Sequence, residues 1–413
     1  FRGDRRIGND EEFSKKVVLV DENEMQSVMM GFPTVVPLSR EIASTYIPVL
    51  LNQRAAIHYI DVAQEYGLAG DVCPMPEAEA GVSINDDAPI LGCCAVQCNT
   101  TCDGSLLSNG VISKRMEFED GIPVFQLASP LRHMNEDVQE YAAQEIRNAI
   151  AFIEEHTGEK WDWDYYFECA KRVNYATKCR LEWLEMSKSP YPQVFGSNLA
   201  LYTETNYMAI SGRLPIFEKT DRKIMRLAEK AYKKKKMAAN EYRHRAIVWG
   251  VQSHYYMDLL VWMLNCWGIV PLTDMLSMDN TTMIAEEDTP ENREQAMYDI
   301  AMLTEKMIMR NRTHGGYKVL LDDLWEIVTE FNADMVILWE HMSCKALDGI
   351  HGMFEQRARE LGIHLVWVSH DLFDPRVVSR QGVRDQINTY MRTVMGEEPV
   401  DPTLEVLPDE ESW

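Results

Sequence analysis

Short apolar and β-branched runs recur along this 413-residue chain, each separated from the next by a longer stretch with helical spacing. That alternation restricts the fold more than any other feature, because it is the pattern of an α/β protein built on a mainly parallel sheet. The runs at 17–20, 47–51, 90–94, 124–127, 246–249, 336–339 and 364–368 are the predicted strands. Between the fourth and fifth lies a helical middle. It holds 138–156, where Ala142, Ile146, Ile150 and Ile153 keep helical spacing, and the aromatic-rich 161–186. Pro190, Pro192 and Gly196 then break the pattern. The length predicts two or three domains, each able to bury a core. The expected division is an N-terminal α/β domain over 1–190, a helical connecting region over 191–243, a C-terminal α/β domain over 244–396 and an acidic tail over 397–413. The expected architecture is therefore two doubly wound parallel-sheet domains with a ligand crevice between them.

Forty-one basic residues against 65 acidic give a net charge of −24, which argues against nucleic acid as a partner. The one basic run, Lys233 to Lys236, closes a predicted helix, where lysines complement the dipole; anion binding is the other reading. The most apolar stretch, 255–270, is interrupted by Asp258 and Asn265 and stopped by Pro271, so it fails as a membrane span. It reads as a buried helix followed by a strand. The chain opens Phe1-Arg2-Gly3-Asp4 with no charged-then-apolar leader, so a soluble, cytoplasmic protein with reduced thiols is expected.

Four of the nine cysteines, Cys93, Cys94, Cys98 and Cys102, crowd together after the apolar run at 89–91, while Cys73 and Cys344 sit in polar, turn-like text. Thiolates gathered at strand-to-helix junctions suit iron or an iron-sulfur cluster, since soft sulfur prefers such metals. Buried structural thiols are the plainer reading, and Cys169, Cys179 and Cys266, in helical aromatic text, fit it. A zinc site would show two short paired spacings, and only one cluster exists here. Disulfides would need an oxidising compartment. In open parallel sheets ligands bind beyond the carboxyl ends of the strands, so all three cysteine sites are expected to face one crevice. A cluster held by three thiolates keeps one iron open to substrate.

The segments DVCPMPEAEAG (71–81), CCAVQCN (93–99), IPVFQLASP (122–130), EEHTGEKWDWD (154–164), HMSCK (341–345) and HDLFDPR (370–376) occur in an order, over 36–395, that resembles the catalytic subunits of the 2-hydroxyacyl-CoA dehydratases and the related ATP-dependent benzoyl-CoA reductases. The resemblance implies a heterodimer of homologous subunits, a [4Fe-4S] cluster, and an ATP-hydrolysing iron-sulfur activator that delivers a low-potential electron. The substrate would be an acyl-CoA or aryl-CoA. The implied reaction removes water from a 2-hydroxyacyl-CoA through a ketyl radical anion, because the β-proton is scarcely acidic until an electron enters the thioester. Aryl-CoA reduction, or electron transfer without an acyl-CoA, are alternatives within the family, and a binding protein with no cluster is the reading outside it.

Carried over by position, the cluster ligands would be Cys73, Cys98 and Cys344. Cys98 is favoured by its CC-x-x-x-C-N setting, and Cys102, in Thr100-Thr101-Cys102-Asp103-Gly104, is the competing middle ligand. Where relatives carry a glutamate before Asn-Gln, this chain reads Leu51-Asn52-Gln53, which leaves Asn52 as the candidate there. Trp249 and the aromatic stretch after it are candidates to line the crevice, or else pack between helix and sheet. His254 is a candidate proton donor, with a satisfied structural histidine as the other reading. Asp371, Asp374 and Arg376 either fix a loop or contact CoA. His341 either donates to a cluster sulfur or shapes its turn.

Overall fold

The computed structural model describes residues 11–20, 27–87, 91–98, 103–128, 130, 136–193, 202, 211–237, 242–279, 282–305 and 317–407. Strands β1 (Val17–Val20), β2 (Val36–Ser39), β3 (Cys94–Cys98) and β4 (Val124–Leu127) form a parallel sheet in the order β2-β1-β3-β4. A second parallel sheet takes β5 (His244–Trp249), β6 (Ile269–Asp274), β7 (Met335–His341) and β8 (His364–His370) in the order β6-β5-β7-β8. The chain is thus an α/β protein of two parallel-sheet domains. Every residue of β1 and β3 is buried, as expected of inner parallel strands covered on both faces.

Both sheets carry a proline on an edge strand, Pro37 in β2 and Pro271 in β6, where a missing N–H breaks no second ladder. Pro37 is also what hides β2 from a search for uninterrupted apolar runs. The expected strand at 47–51 is instead the helix Ile47–Leu51, which continues a π-helical turn, Ile42–Tyr46. Pro48 sits just after the π-helical turn, with proline's fixed φ suited to a helical backbone. The expected strand at 90–94 lies further along the chain. Pairing begins with Cys93 N–H donating to the Val17 carbonyl (2.9 Å), and the cysteines themselves form β3.

One face of the first sheet is covered by the helices Glu136–Thr157 and Trp163–Lys188 and by Pro290–Glu305, which returns from the C-terminal part of the chain. Asn174 clamps that return: its amide exchanges hydrogen bonds with the Ile284 backbone (2.8 and 2.9 Å) and reaches Glu286 (2.8 Å). The opposite face takes Ala63 and Ala80. These belong to the helices Ile57–Tyr66 and Pro74–Ile84, whose other side, Ile60 and Ala78, joins the core of the second sheet. The helical pair is therefore a wall common to both sheets. The second sheet is closed by Leu259–Trp267 and Arg380–Tyr390 on one face and by Tyr317–Glu330 and His351–Leu361 on the other. Of the acidic C-terminal segment, the described part packs back, with Val400 N–H on the Cys266 carbonyl (2.7 Å) and the Trp262 indole on the Leu404 carbonyl (2.8 Å).

Candidate functional site

The turns that carry Cys73 and Cys344, far apart in the sequence, are tied to each other by one ion pair. Each cysteine is the N-cap of a helix, Cys73 of Pro74–Ile84 and Cys344 of the short turn Lys345–Asp348, and each is half-buried. Asp71, two residues before the first, pairs with Lys345, one residue after the second, at 3.0 Å. That ion pair sets the two cysteine-bearing turns side by side along one rim. A third segment reaches the same rim. A Cβ on Gly104, in the first turn of Asp103–Arg115, would stand 3.5 Å from the Cys73 Cβ and 2.9 Å from Pro76 Cγ, so this helix approaches Cys73 as closely as a glycine permits.

Cys98 points elsewhere. Side chains alternate along a strand, so Cys94, Val96 and Cys98 share one face of β3, packed with Ala142, Ala143 and Ala170. Ala95 lies on the other face, with Ala80 and Ile112 from the helices that carry Cys73 and Gly104. Cys98 is 0% exposed, and its carbonyl accepts from Asn109 (2.9 Å). Cys102 lies outside the described residues. Among the described residues no three His, Cys, Asp or Glu side chains are grouped tightly enough to hold a metal ion. Burial pushes the Cys169 and Cys179 thiols up to about 11 and Cys266 to about 12, so all three are protonated packing residues at neutral pH. Cys93 is held below the ordinary thiol range by a hydrogen bond with Cys94, whose own thiol is correspondingly raised.

Behind the rim, the carboxyl ends of the second sheet gather three histidines. The loop after β5 turns at Gly250, where φ is +87° and any Cβ would collide with the Trp339 carbonyl; it then delivers His254. His341 ends β7 and His370 ends β8, their ring centroids 5.9 Å apart. His254 is 5% exposed, His341 3% and His370 0%. Burial, reinforced by the neighbouring histidines, holds His254 and His341 down to about 3, and burial holds His370 at about 4, so all three are neutral at physiological pH. His254 Nε2 lies 3.0 Å from the Tyr46 hydroxyl. His370 Nδ1 lies 2.8 Å from Ser253 Oγ and 2.9 Å from the Asp371 carbonyl.

Carboxyls complete the surroundings. Glu77, one turn after Cys73, is 1% exposed; burial, with Asp371, Asp374 and Asp71 nearby, raises it to about 7, although Gln64 donates to it at 3.2 Å. Burial likewise raises Asp371 to about 6, against the Phe373 and Asp374 N–H groups it accepts from (2.9 and 2.7 Å). Arg376 grips Asp374 at 2.9 and 2.6 Å and Asp61 at 2.9 Å, so it is committed to fixing this turn.

The remaining sequence candidates fall outside this group. Trp249 is fully buried among Leu264, Leu272 and Leu320 on the far face of the sheet, so packing rather than substrate contact is the place the fold gives it. The Asn52 side chain accepts the Arg54 N–H (3.0 Å) and closes the turn after Ile47–Leu51. Sequence reasoning missed Glu77. The signal was present as two glutamates, Glu77 and Glu79, on an otherwise apolar helix directly after Cys73. No helix of the described residues is long and apolar enough to cross a membrane. A family model described as 2-hydroxyglutaryl-CoA dehydratase, D-component, matches residues 34–393. No curated protein matches the chain.

Proposed function

Because the chain belongs to the 2-hydroxyglutaryl-CoA dehydratase D-component family, we propose that it is the iron-sulfur catalytic subunit of an ATP-activated 2-hydroxyacyl-CoA dehydratase. It would act with a homologous partner subunit and a separate ATP-hydrolysing activator. The observation that carries this reading is the junction of the turns that carry Cys73 and Cys344 through the Asp71 and Lys345 pair. Two thiols on helix N-caps in adjoining turns are a donor set suited to an iron-sulfur cluster. For the third ligand the reading moves from Cys98 to Cys102. The alternation of β3 turns Cys98 into the opposite core, whereas Cys102 adjoins the helix whose Gly104 stands against Cys73. Bound there, the cluster would supply a low-potential electron and an open iron acting as a Lewis acid.

The chain's own groups supply the rest. Losing the 2-hydroxyl and a β-proton requires groups that give and take protons near neutrality, and Glu77, poised at about 7, is one turn from Cys73. Asp371, at about 6, is the second. Buried neutral imidazoles offer hydrogen bonds without a fixed charge. The test is anaerobic purification with the partner subunit, an iron and acid-labile sulfide count, and incubation with activator, ATP, a reductant and a panel of 2-hydroxyacyl and aryl CoA thioesters. Iron with an enoyl-CoA product supports the proposal; negligible iron, or a ring-reduced product, overturns it. Cys73→Ala, Cys102→Ala and Cys344→Ala are expected to lose iron, and Cys98→Ala to keep it.

A further inference from the structure

The three histidines behind the cysteine rim leave a definite pattern of unmet hydrogen bonds. His370 Nδ1 faces the Asp371 carbonyl, which can only accept, so the proton of the neutral ring sits on Nδ1. Its Nε2 is then an acceptor that makes no side-chain hydrogen bond among the described residues, with the Val251 backbone beside the ring. When His254 Nε2 accepts from Tyr46, the His254 proton sits on Nδ1, and that donor is also unmet. His341 has no side-chain partner among the described residues and meets only the His370 backbone, and the indole N–H of Trp339, whose ring meets that of His370 edge-on at 5.8 Å, has no partner among them either. Buried polar atoms are seldom left unsatisfied, because each orphan gives up its hydrogen bonds to water without replacement. Several of them at the carboxyl ends of adjacent parallel strands mark a place where a ligand's polar atoms belong.

We propose that His254, His341 and His370 form the polar socket for the acyl end of the substrate, with His370 Nε2 accepting from the 2-hydroxyl and His254 Nδ1 donating to the thioester carbonyl, and that the socket selects acyl chains without a terminal carboxylate. This rests on the dehydratase reading above and deepens it. One unmet acceptor and one unmet donor match the hydroxyl and carbonyl of a 2-hydroxyacyl thioester. The exclusion of a charged chain follows from the neighbours. Glu77, Asp371 and Asp374 are all buried here. The cations in the loops leaving β7 and β8 are engaged, Lys345 with Asp71 and Arg376 with Asp374 and Asp61. Among the described residues a second carboxylate would enter beside Asp371 and Asp374 with no uncommitted lysine or arginine in these loops to receive it, which opposes binding.

The test is isothermal titration, without activator so that no turnover occurs, of the iron-loaded complex with lactoyl-CoA, propionyl-CoA and 2-hydroxyglutaryl-CoA. Lactoyl-CoA is expected to bind at least ~10-fold more tightly than either of the others. His370→Asn keeps an atom at the Nδ1 position, and so the contacts to Ser253 and Asp371, but removes Nε2. It is expected to abolish the lactoyl preference over propionyl-CoA. His254→Gln keeps the Tyr46 contact, removes the donor, and is expected to weaken both thioesters alike. Iron content and thermal melting of each variant separate a lost contact from a lost fold. Equal or tighter binding of 2-hydroxyglutaryl-CoA, or a lactoyl preference that survives in folded His370→Asn, overturns the socket while leaving the dehydratase reading intact. A complex that carries iron yet binds none of the three does the same. A complex without iron overturns that reading and this one together.

Discussion

Replacing Glu77 with glutamine should make the protein more stable above neutrality and leave it unchanged in acid. Glu77 is buried on the helix Pro74–Ile84, and its carboxyl is raised from the ordinary 4.5 to about 7, first by burial and then by Asp371, Asp374 and Asp71. The folded protein thus holds this proton more tightly than the unfolded chain. Below pH 4.5 both states are protonated and the group is neutral to stability. As pH rises from 4.5 to about 7, the unfolded chain gives up the proton first, and stability falls until the folded carboxyl also ionises. At ~1.4 kcal/mol for each tenfold difference in proton affinity, the interval amounts to about 3 kcal/mol, present in full above pH 7. Glutamine keeps the shape and can still pair with Gln64, but carries no charge to bury. Urea unfolding of metal-free wild type and Glu77→Gln at pH 4.5 and pH 8 measures the difference. The variant should gain about 3 kcal/mol at pH 8 relative to its offset at pH 4.5. A constant offset between the two pH values would falsify the claim that Glu77 carries a proton in the fold.

Three further outcomes are expected. Gly250→Ala should destabilise by about 3 kcal/mol or more, because a Cβ there meets the Trp339 carbonyl on a left-handed backbone; a thermal melt within a degree of wild type would refute the clash. Asn174→Ala should cost about 2–3 kcal/mol in urea unfolding, since it orphans the Ile284 N–H and carbonyl, whereas an unchanged midpoint would mean that water replaces the amide. His244, whose imidazole is raised chiefly by its hydrogen bond to Asp334, contributes stability in full below about pH 6.5, and loses it as pH rises through the folded value. His244→Gln should therefore lose more stability at pH 6 than at pH 9, and the reverse order would refute the pairing.

Much of the fold could be read before any coordinates. β1 and β4 lie at the expected residues, and β5, β7 and β8 each contain their expected runs; for the inner strands β1, β5 and β7 the reason is that a strand inside a parallel sheet must be apolar on both sides and so leaves an unbroken signal. The edge strand β2 left none, since Pro37 is tolerated only where no second neighbour needs an N–H. At 47–51 an apolar run of strand length is helical, with Val49 buried in the second core, a fact of packing rather than of composition. The same division holds at the site. Cys73 and Cys344 stand in turns, as their polar settings in the sequence suggest. The side on which Cys98 faces depended on where β3 begins, and a slip in register reverses every side chain. Glu77 was unremarkable as a letter in a helix and becomes chemically distinctive only when two sheets close over it.

The helices Ile57–Tyr66 and Pro74–Ile84 give Ala63 and Ala80 to one core and Ile60 and Ala78 to the other. A fragment ending at residue 190 would carry that wall away from the second sheet, and would itself lack Ala296 and Ile300, which the later chain supplies to the first. The halves are thus interlocked rather than strung in series. Neither is expected to persist as an autonomous product of a divided gene, and an insertion between them would be borne more easily than a cut.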